Sequence, residues 1–194
     1  MAYVDPESKK TYIMEAHIEV GNIARPLDEY LKDGNMRVAI FRWNDSQNPD
    51  LPHKAAAYMY QMITEASAKG ENIHYNFSLD LDKRPDLFCS QLPYRGFLDT
   101  SDKDKKVDLG YYKTTITPKN GDFVKRLGIT VKKSFVPIDL EVESRFDLVA
   151  EWRDLSRVRE SHMKDAMLDA FYRWSNEKNY ILHETPMTCI GRHI

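Results

Sequence analysis

Phe77-Ser-Leu-Asp-Leu-Asp-Lys-Arg-Pro-Asp-Leu-Phe-Cys-Ser-Gln-Leu-Pro-Tyr-Arg-Gly-Phe97 sets one of only two cysteines between an apolar pair and a short polar-apolar run. Leu87 and Phe88 anchor the approach to a core. Cys89-Ser90-Gln91-Leu92 then opens a helical turn, where the first backbone N–H groups have no intrahelical partners. A thiol at that place feels the positive end of a helix, which favours the thiolate, the form that attacks carbonyl carbon. Cys89 is therefore the candidate nucleophile. The competing reading is a buried small hydrophobe, the commoner fate of a cysteine beside apolar residues.

Working outward, the remaining chain alternates strand and helix signals around that stretch. Ala2-Tyr-Val4 and Thr11-Tyr-Ile-Met-Glu-Ala-His-Ile-Glu-Val20 are rich in strand formers, and Asp5-Pro-Glu-Ser-Lys-Lys10 between them is turn chemistry, which predicts a hairpin broken at Gly21. Pro26 opens a short helix ended by Asp33-Gly-Asn35. Met36-Arg-Val-Ala-Ile-Phe-Arg-Trp43 predicts a strand central to a sheet. Ala56, Met59, Tyr60, Ile63 and Ala66 follow helical spacing from Leu51 to Gly70, an amphipathic helix packed on the sheet. Ile73 to Leu79 reads as a further strand, followed by the loop Asp80 to Asp86 and the Cys89 turn.

In the second half, Asp99 to Lys106 reads as a solvated charged loop, whereas Gly110 to Pro118 and Phe146 to Arg153 favour extended structure, with Pro137 marking a turn between them. From Ser161 the spacing Met163, Met167, Ala170, Phe171, Trp174 is helical, and such a stripe predicts a core-facing side. The expectation is one α+β domain over residues 1–194, mainly antiparallel sheet or partial barrel packed with helices.

Composition narrows the function classes. The 28 basic and 30 acidic side chains leave a formal charge of -2, with no field to gather nucleic acid or an anionic membrane. Cys89 and Cys189 make no disulfide framework, and a reducing compartment is the simpler setting. The opening residues lack signal-peptide blocks and no apolar run has the length of a membrane span, so the chain as written reads as cytoplasmic, without an integral membrane segment. Phosphate-loop and dinucleotide glycine patterns are absent, as is paired zinc-ligand spacing; no metal and no cofactor is called for.

Thiol-dependent acyl transfer needs a base, a polar group that orients it, and donors for the oxyanion. Of the six histidines, His53 and His162 fall at helix starts and His183 and His193 in a tail, where solvated or capping roles are expected. His17 and His74 lie on expected strands, and alternation alone does not say which way they face. Glu15, two positions from His17 in an otherwise apolar strand, must face water, a cleft or a partner.

These residues, taken in order, resemble the circularly permuted papain-like amidases, a family related to NlpC-type cell-wall peptidases and more distantly to lecithin retinol acyltransferase. Tyr12-Ile-Met-Glu-Ala16, Val20-Gly21, Pro26 to Leu31 and Arg37 to Arg42 look like the segment ahead of that family's nucleophile. Tyr75-Asn-Phe77 and Phe88-Cys-Ser-Gln-Leu92 look like its tyrosine-containing strand and its cysteine helix, and Pro137-Ile-Asp139 with Phe146 to Arg153 its closing region. The resemblance implies a permuted papain-like fold, Cys89 as nucleophile, Glu15 as the orienting or cleft carboxylate and Tyr75 as a binding residue. It implies hydrolysis of an amide or ester in a small peptide or lipid amide, with thioester chemistry, acyl transfer or a binding module that has lost its chemistry as the alternatives. The family's histidine precedes Glu15, and no histidine does so here; the expectation is a histidine upstream of Met1, or His17 or His74 in its place.

Overall fold

The computed structural model describes residues 1–109, 114–116 and 128–180. The chain divides into two compact units, Met1–Asp33 with Ile40–Val149 and Gly34–Ala39 with Ala150–Ile194. The architecture is mixed α+β, with three small antiparallel sheets and no closed barrel among the described residues.

In the first unit, β1 (Ala2–Val4), β2 (Thr11–His17) and β3 (Gly21–Pro26) form a three-stranded sheet in that order. The hairpin expected from the sequence pairs Ala2 with Ile13 and Val4 with Thr11. Asp5 closes its turn, accepting from the Glu7 N–H at 3.0 Å and the Ser8 hydroxyl at 2.6 Å. Strand β3 carries weak strand formers in Arg25 and Pro26, and what holds it is tertiary: it pairs along β2 from Tyr12↔Pro26 to His17↔Gly21. Gly21 adopts φ +79°, and a Cβ there would lie 2.5 Å from the Ile73 carbonyl, so only glycine lets that segment approach. Helix α1 (Leu27–Tyr30) follows with Pro26 at its N-cap.

Helix α2 (Leu51–Ala68) packs on β1 and β3, and its buried face of Leu51, Ala55, Ala56, Met59 and Ile63 follows the expected spacing. Helix α3 (Gln91–Thr100) lies against it, where Gly96 sits so close that a Cβ would come within 3.2 Å of the Ala55 carbonyl and 3.1 Å of the Met59 side chain. The core forms two clusters around this helix pair, one including Phe88, Tyr94, Phe97, Leu109 and Phe135, the other Met14, Met59, Ile63, Leu87 and Leu92.

Three expectations are corrected. Residues 73–79 form no strand: Asn76 accepts the Ser78 N–H through Oδ1 at 3.1 Å and its carbonyl takes the Leu79 N–H at 3.4 Å, so side-chain competition turns the backbone out of a ladder. Strand β4 (Arg37–Trp43) is not central: it belongs to a two-stranded sheet with β7 (Phe146–Arg153), and Ile40 is exposed. Within the first unit the Asn44 N–H reaches the Arg145 carbonyl at 2.9 Å, and Trp43, Phe97 and Phe146 pack on one another.

The third correction concerns the second unit. Helix α5 (Leu155–Glu177) carries the predicted Met163, Met167, Phe171, Trp174 stripe, but all four are exposed, between 42% and 62%. The less exposed face is Val158, Ser161, Leu168, Tyr172 and Ser175. Local interactions hold the helix instead: the Asp154 carboxylate caps the Ser156 and Arg157 N–H groups, and Glu160–Lys164 and Asp169–Arg173 pair at i,i+4. His162 lies inside α5 rather than at its start.

Strands β5 (Thr114–Thr115) and β6 (Lys133–Ser134) pair, and α4 (Asp139–Val142) follows the turn at Pro137. The remainder of the expected extended run from Gly110 lies partly outside the described residues, as do His183, Cys189 and His193.

Candidate active site

Cys89 occupies the turn immediately before α3 and is exposed, not a core residue. Phe88 and Ser90 on either side are buried, and Ser90 fixes the turn by donating its hydroxyl to the Phe135 carbonyl at 2.6 Å. The Phe88 carbonyl accepts the Gln91 and Leu92 N–H groups at 2.9 and 3.3 Å, so helical bonding starts directly at the cysteine's neighbour. Anchoring both neighbours holds the thiol outward at the helix entrance.

Tyr75 stands beside this thiol. Burial, the negative charge of a Cys89 thiolate and a hydrogen bond to that sulfur together push the Tyr75 phenol up to about 12. The phenol therefore keeps its proton at neutral pH and faces the sulfur as a donor. Its ring packs on Phe77 at 5.0 Å.

Glu15, on β2, acts with Cys89 on the first nitrogen of the chain. The Met1 nitrogen donates to the Met14 carbonyl at 2.9 Å and is buried, which lowers its proton affinity, while the Glu15 carboxylate and the Cys89 thiol both act to raise it. One nitrogen thus feels both groups that the sequence singled out. Glu15 is itself engaged by the Arg25 guanidinium, through Nε and, at 3.2 Å, through Nη2, and by His17 Nε2 at 3.2 Å. Arg25 also holds Asp33, and that guanidinium draws the Asp33 carboxyl below the usual carboxylate range. Of the other histidines, His53 stacks on Tyr3 at 5.9 Å, and His74 is exposed with its carbonyl bonded to the Leu87 N–H at 3.1 Å.

The supporting shell consists of three buried amides that sequence reading did not single out. Asn22 Nδ2 lies 3.0 to 3.1 Å from the carbonyls of Ile73, His74 and Leu87, so its two hydrogens are shared among three acceptors. It ties β3 both to the segment leading into Tyr75 and to the segment leading into Cys89. Gln91, fully buried, accepts from the Phe88 N–H and from Asn76 Nδ2 and donates to the carbonyls of Asp80, Leu81 and Lys83 at 3.1 to 3.2 Å. The signal available in the sequence was a polar residue one step before Leu92 in a run with buried apolar spacing; such a residue has to be satisfied by loop carbonyls.

Among the described residues no cluster of His, Cys, Asp and Glu has the arrangement of a metal site, and no helix is long and apolar enough to cross a membrane. No family model matches the chain, and neither a curated protein nor a solved structure matches it.

Proposed function

We propose that this chain is a cysteine hydrolase of the permuted papain-like type, in which Cys89 attacks the carbonyl of an amide or ester in a small peptide or lipid amide. The observation that carries this reading is an outward thiol at the entrance of a helix with a phenol coupled to it, Cys89 and Tyr75; Glu15 acts with Cys89 on the Met1 nitrogen. The order of elements agrees with it, since the carboxylate strand precedes the cysteine and the cysteine opens a helix packed beside that sheet.

In this mechanism an imidazole takes the Cys89 thiol proton, and the Tyr75 hydroxyl donates to the sulfur as it becomes negative. Attack forms the S–C bond and moves negative charge onto the carbonyl oxygen, where donors at the start of α3 offset it. Collapse breaks the bond to the leaving amine or alcohol, which takes that proton back from the imidazolium; His17, bonded to Glu15, is a base–carboxylate pair among the described residues. Water then releases the acyl group from sulfur.

The test is hydrolysis of N-acyl aminocoumarins and p-nitrophenyl esters of increasing chain length by the native chain and by Cys89→Ala, with mass analysis for acylated Cys89. Turnover lost in C89A, with acyl mass on the Cys89 peptide, supports the reading. No turnover and no acylation across both series would favour the binding-module alternative. Turnover by C89A equal to the native chain rejects Cys89 as nucleophile.

A further inference from the structure

A concave site lies on the first unit, a groove of about 330 Å³ that uses none of Cys89, Glu15 or Tyr75. That volume is at the small end of ligand pockets. Along one wall Tyr58, Met62 and Ala66 recur at helical spacing on α2, and Ile73, Pro85 and Leu87 face them, giving an apolar trough.

Among the charged groups of the lining, the Asp99 carboxylate is shared by two guanidiniums. Asp99 takes Arg95 through both oxygens, from Nη2 at 2.6 Å and Nε at 3.3 Å, and takes Arg84 Nη2 at 2.6 Å. Two positive charges on one negative charge leave one unit of positive charge at this cluster, while Lys69, Glu65 and Glu71 elsewhere on the lining bring the groove as a whole to charge balance. A guanidinium has five N–H donors, and the bonds to Asp99 use one from Arg84 and two from Arg95, so a planar donor fork remains. Arg95 is only 12% exposed, which fixes half of that fork in place. The other charged lining groups are Lys69, Glu65 and Glu71, and Glu65 is engaged by Gln61 at 2.6 Å.

The geometry points to a binding site for a small amphiphilic carboxylate, its aliphatic body in the trough beside Met62 and Ile73 and its single negative head on the Arg84–Arg95 pair. A planar monoanion matches the charge and fork shape of the Arg84–Asp99–Arg95 cluster; an alkyl cation would meet the wrong sign at that cluster.

Octanoate is the probe, with octylammonium matching its tail under the opposite charge and acetate supplying the head alone. Binding is followed by methyl chemical shifts of Met62 and Ile73 in the native chain, in Arg84→Gln, in Ala66→Phe and in Cys89→Ala. Arg84 is about half exposed, so R84Q keeps the fold. The expected result is saturable octanoate binding that is about tenfold weaker in R84Q, lost in A66F, and unchanged in C89A, with neither octylammonium nor acetate able to replace it. Octanoate that leaves those methyls unmoved, octylammonium that binds as tightly, or affinity indifferent to both R84Q and A66F would overturn the assignment. Because C89A retains this site, its failure and the failure of the hydrolase reading are separately visible.

Discussion

Tyr75 and Cys89 approach each other from segments fourteen residues apart in sequence, and Asn22 clamps both segments by hydrogen-bonding the carbonyls just before each. The phenol coupled to the thiol is therefore placed by a buried amide on β3. Removing the phenol oxygen with Tyr75→Phe keeps the ring contact with Phe77 and deletes only the donor. Alkylation of Cys89 by iodoacetamide at pH 7 should slow about tenfold, the worth of one hydrogen bond to a charged group. Peptide mass analysis separates Cys89 from Cys189; a rate within twofold of native would show that the phenol does not serve the thiolate.

Gln91 should matter more to stability than Cys89 does. Gln91→Leu preserves volume but strands three loop carbonyls and the Phe88 N–H, and urea unfolding should register a loss of about 3 kcal/mol. Cys89→Ala, at an exposed position, should stay within about 0.5 kcal/mol of native. If Q91L proves as stable as C89A, the amide network is not what holds the turn.

What the sequence revealed, and what it hid, divides along one physical line. The hairpin, α2 and the helix start after Cys89 were legible because turn chemistry and periodicity are local. Strand β3 was not, because nothing within Asn22-Ile-Ala-Arg-Pro26 asks for a strand; β2 supplies its partners. The segment from Ile73 misled in the other direction: its apolar alternation is real, but Asn76 and Ser78 satisfy the backbone locally. At the site, Cys89, Glu15 and Tyr75 were chosen by residue type and by family resemblance, and the coupling of Cys89 with Tyr75, and of Cys89 and Glu15 with the Met1 nitrogen, needed the fold. Asn22 and Gln91 stayed hidden because the carbonyls they serve are distant in sequence.

Periodicity also failed to reveal which face of α5 is covered. Met167 is 62% exposed, so Met167→Glu should change stability by no more than about 0.5 kcal/mol, whereas a core methionine replaced by a charge would cost several. Chemical denaturation of M167E decides between the two; a large loss would mean that this face is packed in solution.

The nitrogen of Met1 offers a direct probe of the site's layout. Since Glu15 and Cys89 both act on it, a charge added just ahead of it should act on them in turn. A chain extended at that end by histidine should alkylate at Cys89 faster than one extended by alanine, because an imidazolium beside the thiol favours the thiolate. Equal rates for the two extensions would separate Met1 from the reactive sulfur.

Acid sensitivity should trace to Glu143, whose side chain is 1% exposed. The Arg145 guanidinium, bonding both carboxylate oxygens at 2.7 Å, holds this carboxyl below its ordinary value of 4.5, and the Arg145 N–H adds a third bond at 3.1 Å; burial opposes them. A lowered folded value means that the unfolded chain takes up the proton first. The pair's contribution is thus fully present above pH 4.5 and is lost as the pH falls through the folded value. Glu143→Gln removes the charge at every pH. It should cost about 2 kcal/mol at pH 7, and the gap from native should close as the pH drops below 4.5. Urea unfolding of both chains from neutral to acid pH measures it directly. A gap that stays constant across that range would assign the acid limb of stability to other carboxylates.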